Sequence, residues 1–101
     1  MIAKILIKRR FKEGNTPQIV QLLNEIRQIA LSRPGYQSGE TLTKSGQPND
    51  MVVISTWRSL EEWHVWKESD QRKQYEAMLE VYQEGPTEYE EYLLGSPLHS
   101  M

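Results

Sequence analysis

Three ring-bearing side chains fall within four consecutive positions, at Trp63, His64 and Trp66. An indole can stack on a flat apolar ring, and an imidazole exchanges a proton near neutral pH. Such a set could hold an acidic aromatic molecule face-on and deprotonate it. Trp66 is the candidate stacking surface, Trp63 a second wall, and His64 the candidate general base. Further along, Tyr75 and Met78 could close a pocket, with Tyr75 adding a hydrogen-bond donor. Each also has a plain structural reading. Tryptophans fill cores, Tyr75 and Met78 suit an amphipathic helix, and a lone histidine is commonly solvated. His99, in the C-terminal tail, lies far from His64, and no metal-ligand spacing, phosphate-binding glycine loop or Ser/His/Asp signature occurs. No metal and no bound cofactor are expected.

The rings stand on a short helix that a strand feeds directly. Residues 51–57, MVVISTW, are apolar or β-branched and close on Trp57. Ser59-Leu60-Glu61-Glu62 then gives the S-x-x-E pattern of a capping box, so helical periodicity starts there and runs over 60–67. Upstream, residues 2–11 read as a strand with Ala3, Ile5, Ile7 and Phe11 on one face and Ile2 and Leu6 on the other. Thr16-Pro17 opens a helix whose Ile19, Leu22, Leu23, Ile26, Ile29 and Ala30 form one stripe. Arg33-Pro34-Gly35 stops it. Residues 36–43 are a more polar strand, expected at an edge, and 44–50, KSGQPND, read as a long polar connection, a hairpin or a loop. Ser69-Asp70 caps a third helical segment expected to run to about Gln83, with Tyr75, Met78, Leu79 and Tyr82 on one face. Gly85-Pro86 breaks it, 87–94 is a last strand, and 95–101 a loose tail.

Strand, helix, strand, strand, split helix, strand is the order of a ferredoxin-like α+β fold, βαββαβ. It predicts a four-stranded antiparallel sheet with its helices on one face, as one domain over 1–94. The strand at 51–57 is apolar on both sides, with Met51, Val53 and Trp57 alternating with Val52, Ile54 and Thr56. Helices cover one face only, and the other would leave an apolar patch larger than monomers tolerate. A homodimer packed sheet on sheet is therefore expected.

Composition narrows the partners. A net charge of −2 argues against nucleic acid and anionic membranes, which favour a basic excess. The one basic cluster, Lys8-Arg9-Arg10, reads as a solvated or salt-bridged strand end. There is no cysteine, which excludes disulfides and thiol chemistry. No apolar run approaches the ~18–20 residues that span a bilayer, and the chain opens on a strand pattern rather than a cleavable signal. A cytoplasmic location is expected.

Trp57, Trp66 nine residues on and Ser69 three further fit a W-x8-(H or W)-x2-S pattern. In this the chain resembles the antibiotic biosynthesis monooxygenase superfamily of dimeric α/β barrels. The R-P-G-Y-Q-S-G segment over 33–39 and the Glu13-Gly14 turn resemble it too, so the likeness runs to about Leu94. It implies a pocket between helices and sheet in each subunit. It also implies a cofactor-independent monooxygenase acting on a small phenolic, quinol or polycyclic aromatic molecule. Once deprotonated, such a substrate can itself give electrons to oxygen. Trp66 would stack, His64 or a bound water would take the proton, and the site would exclude water and stabilise the anion. The superfamily's haem-degrading branch uses a histidine ten residues after the helix tryptophan and an asparagine on the first strand. Glu76 and Ile7 stand at those positions here, so haem degradation is disfavoured. The alternative is a homodimer of the same fold that binds a small ligand, or serves in interaction, without catalysis.

Overall fold

The computed structural model describes residues 1–95. The elements are β1 (Ala3–Arg10), α1 (Thr16–Leu31), β2 (Tyr36–Lys44), β3 (Gln47–Trp57), α2 (Leu60–Lys67), α3 (Asp70–Glu80) and β4 (Glu88–Leu93). The four strands form one antiparallel sheet in the order β2-β3-β1-β4. This is the ferredoxin-like arrangement expected from the element order. Apart from Gly95, the expected tail lies outside the described residues.

Alternation along β1 decides what each sheet face does. Ala3, Ile5, Ile7 and Arg9 are buried toward the helices. Register places Trp57, Ser55, Val53 and Met51 of β3 beside them. Most of the interior falls in two clusters. One gathers Ala3, Ile5, Ile7, Ala30, Trp57, Trp63 and Trp66. The other gathers Phe11, Ile19 and Leu79. The opposite face carries Leu6, Val52 and Ile54 at its centre, each half-buried, with Leu42 and Tyr92 exposed beside them. Charge surrounds this apolar centre: Lys8 pairs with Glu90, and Arg10 with Asp50 at 2.8 Å.

Three sequence expectations shift. The connection over 44–50 takes the hairpin form of the two expected, but a much shorter one, because Lys44 pairs with Gln47 across Ser45-Gly46. Gly46 sits at a positive φ of 79°, which a glycine reaches without steric cost. Strand β3 therefore begins four residues earlier than its apolar run. Helix α3 ends at Glu80 because the chain beyond it pairs with the end of β1. Lys12 N donates to Tyr82 O at 2.8 Å, and Glu84 N to Arg10 O at 2.8 Å. The inward face of α3 is also rotated from the one expected: Arg72, Glu76 and Leu79 are buried, whereas Met78 is 42% exposed.

Helix α2 starts as its sequence predicts. Ser59 Oγ accepts from Glu62 N at 3.2 Å, while the Glu62 carboxylate turns to the Arg58 guanidinium. Ser69 caps α3 in the same way, accepting from Arg72 N at 3.2 Å. These two caps fix the short helices that carry Trp63, Trp66 and Arg72.

Candidate functional site

Between the sheet and the helices lies a cavity of about 100 Å³. Trp57 at the end of β3, Trp63 and Trp66 on α2, and Tyr36 at the start of β2 supply its aromatic wall. The rings form a row. Tyr36 meets Trp57 edge-on at 5.3 Å and 83°, Trp57 lies 5.9 Å from Trp63, and Trp63 lies 6.0 Å from Tyr89. Trp57 Nε1, which burial would otherwise strand, donates to Ser55 Oγ. The Arg33 guanidinium stands over Trp66 at 5.5 Å. Gly39 lines the same space, and a Cβ there would meet the Tyr36 hydroxyl at 2.6 Å. A glycine is what lets that ring lie across β2.

Asn24, Arg27 and Thr41 are the exposed members of the lining and mark its open side. There Arg27 Nη2 on α1 donates to Gly39 O on β2 at 3.0 Å, so one side chain bridges the mouth.

The floor is charged. Arg9 and Arg72 both line the cavity, at 5% and 2% exposure, and share the buried carboxylate of Glu76. Arg9 pairs directly with Glu76 Oε1, and Arg72 Nη2 reaches the same oxygen at 3.3 Å. Thr87 Oγ1 donates to Glu76 Oε2 at 3.0 Å. Arg72 Nη1 donates to Tyr89 OH at 3.0 Å, and its guanidinium stands 5.2 Å from both the Trp63 and Tyr89 rings. Burial, chiefly, pushes the Tyr89 hydroxyl up from its ordinary range, which keeps it neutral beside Arg72. With its oxygens taken by Arg9, Arg72 and Thr87, Glu76 has little left to offer a metal.

Of the residues singled out from sequence, the structure brings Trp63 and Trp66 together on the cavity wall. His64 lies elsewhere. It is two positions from Trp66 on the helix, so it faces outward, and its Nε2 sits 2.8 Å from Glu91 Oε2 with the side chain 48% exposed. Tyr75 lies in a surface groove against α1 with Val20 and Asn24, and Met78 on another beside Leu22 and Tyr82. Neither lines the cavity, because α3 turns Arg72 and Glu76 inward instead. The reading of Lys8-Arg9-Arg10 as a solvated or salt-bridged strand end holds in its salt-bridged form at all three residues, but Arg9 makes its pair in the interior and not at the surface. Alternation along β1 puts Arg9 in register with Ile5 and Ile7, and that parity was the signal for a buried charge. Among the described residues, no three His, Asp or Glu side chains cluster as metal ligands.

Glu91 has a part that its place in an acidic stretch concealed. Its Oε2 accepts from Trp63 Nε1 at 2.7 Å, pinning one wall of the cavity. Burial pushes its carboxyl up, but the hydrogen bonds from Trp63 and His64 and the nearby Lys67 outweigh that and hold it below the ordinary carboxylate range. A depressed carboxyl stabilises the fold above its unfolded pKa and loses that contribution as pH falls through the folded value. Thermal melts are therefore expected to weaken below about pH 4, with a shallower loss in Glu91→Gln. Identical acid profiles in the two proteins would break the assignment.

A sheet backed by helices, with an aromatic-walled cavity between the layers, defines a class of small two-layer α+β domains. Comparison gives the family. The model for antibiotic biosynthesis monooxygenases matches residues 2–78, and the chain belongs to that family. Solved structures agree on the fold. A conserved protein from Methanosarcina mazei Go1 has a TM-score of 0.84 at 15% identity, covering 91% of both chains. SnoaB, a cofactor-independent oxygenase from Streptomyces nogalater, has a TM-score of 0.82 at 11% identity over 96% of both chains. Rv0793 from Mycobacterium tuberculosis has a TM-score of 0.82 at 11% identity, over 95% of this chain and 97% of its own. No curated protein matches the chain in sequence. Among the described residues, no helix is long and apolar enough to cross a membrane.

Proposed function

We propose that this protein is a cytoplasmic, cofactor-independent monooxygenase that oxidises a small phenol or quinol with molecular oxygen. In this reading it works as a homodimer closed sheet to sheet over Leu6, Val52 and Ile54. The observation that carries it is an aromatic-walled cavity floored by two buried guanidiniums, within a monooxygenase-family fold. A quinol anion gives one electron to oxygen, and the two radicals couple through a new C–O bond at a ring carbon that bears hydrogen. That hydrogen and the distal oxygen then leave as water, and the carbonyl left behind enolises to a hydroxyquinone. One oxygen atom enters the ring, the other becomes water, and the substrate supplies every electron. The protein's share is to stack the ring on Trp66, keep water out and stabilise the anion.

None of the described lining residues is a histidine, carboxylate or lysine, so the proton goes to water before the ring is enclosed. His64 is no longer needed as the base. Volume narrows the substrate further. A cavity of about 150 Å³ accommodates benzene, so about 100 Å³ sets a single ring as the upper limit while the Arg27 bridge is closed. A polycyclic molecule requires the Arg27 bridge to open.

Trp66→Ala is expected to lower oxygen uptake on a quinol panel at least tenfold while leaving assembly intact. Absence of uptake in both proteins would sink the oxygenase reading. The missing base favours a second reading, a homodimer that binds a small ligand without turning it over, and that result would leave it standing.

A further inference from the structure

Taking the cavity as the substrate site, as the proposed function does, its charge balance says more about what enters. The buried ionised side chains among the described residues are Arg9, Arg72 and Glu76. That is two positive charges against one negative. Burying a charge is costly unless a partner of opposite sign accompanies it. Glu76 can neutralise only one guanidinium, and it is already shared between both. Arg9 Nε is buried and donates to nothing, so the excess is chemical as well as formal. Tyr89 and the two rings beside Arg72 offer it a neutral oxygen and π-faces, without a full negative charge.

We propose that the cavity selects a single-ring aromatic ligand bearing an anionic oxygen group, with the ring against the tryptophan wall and the anion on Arg9 and Arg72. Guanidinium suits this role because its planar fork meets two oxygens at once. The same pair distinguishes an anion from its neutral isostere by charge, since both offer similar apolar surface to the wall.

Intrinsic tryptophan emission reads the site directly, because all three tryptophans of the chain line the cavity. Titration with benzoate and with benzamide is expected to show benzoate binding at least tenfold more tightly. Arg72→Met leaves a balanced Arg9–Glu76 pair. It should bring the ratio near one while benzamide binding barely changes. A merely structural arginine would weaken both ligands together. Arg9→Met provides the second variant should the first not fold, with the same expected result. Equal affinities in the parent protein, no binding of either ligand, or a ratio unmoved by the variants would overturn the assignment. Oxygen uptake on a neutral quinol separates the two readings. Uptake without anion preference removes the charge assignment alone. Anion preference without uptake on any quinol supports the charge assignment and removes the oxygenase.

Discussion

Glu76→Leu is expected to destabilise the fold by about 3–5 kcal/mol, the range for stripping the partner from a buried charge. Two guanidiniums with 5% and 2% exposure would then face each other with no carboxylate between them. For a domain of this size each kcal/mol moves the melting midpoint by about 4–8 °C, so the midpoint should fall by at least about 10 °C. Calorimetry or circular dichroism reads this directly. The loss belongs to unpaired charge and not to lost packing, which a further variant tests. Replacing Arg9, Arg72 and Glu76 together by Met, Met and Leu should recover most of the stability, because apolar groups of similar volume replace a buried ionic cluster at little cost. A Glu76→Leu protein melting within a couple of degrees of the parent would show that the cluster is solvated.

Ile54→Arg is expected to lower self-association at least about a hundredfold. Ile54 sits opposite Leu6 of β1 and Glu40 of β2, on the sheet face that no helix covers. Its side chain points away from Trp57 and the cavity, so the monomer should stay folded. A two-fold interface would bring the substituted position on both subunits into an apolar centre, where like charges cost several kcal/mol. Sedimentation equilibrium should find the parent protein dimeric at micromolar concentration and the variant monomeric. A folded monomeric parent would remove the sheet-on-sheet assembly altogether.

The architecture was legible because it rests on alternation and caps, which are local. Ala3, Ile5 and Ile7 declared one face of β1, and Ser59 and Ser69 declared the starts of two helices. The short span of the hairpin at Ser45-Gly46 was obscured by the polar residues Gln47, Asn49 and Asp50, which the ladder accommodates at the exposed end of β3. The site was harder to read. Trp63 and Trp66 stood out by type, but chemistry-bearing type misled at His64, whose direction is set by its position on α2. Arg9, Arg72 and Glu76 did not stand out as site residues, because charged side chains are seldom buried. Their burial depends on α3 rotating Arg72 and Glu76 toward β1, a tertiary fact that neither segment shows alone.

The Arg27 bridge has a consequence for traffic. A single exposed hydrogen bond to Gly39 joins the two sides of the opening, and an exposed side chain changes rotamer in picoseconds to nanoseconds. Entry and exit then wait on a swinging side chain and not on backbone rearrangement. Molecules small enough for the interior should exchange rapidly with bulk solvent, so residence time is set by the grip inside and not by the doorway.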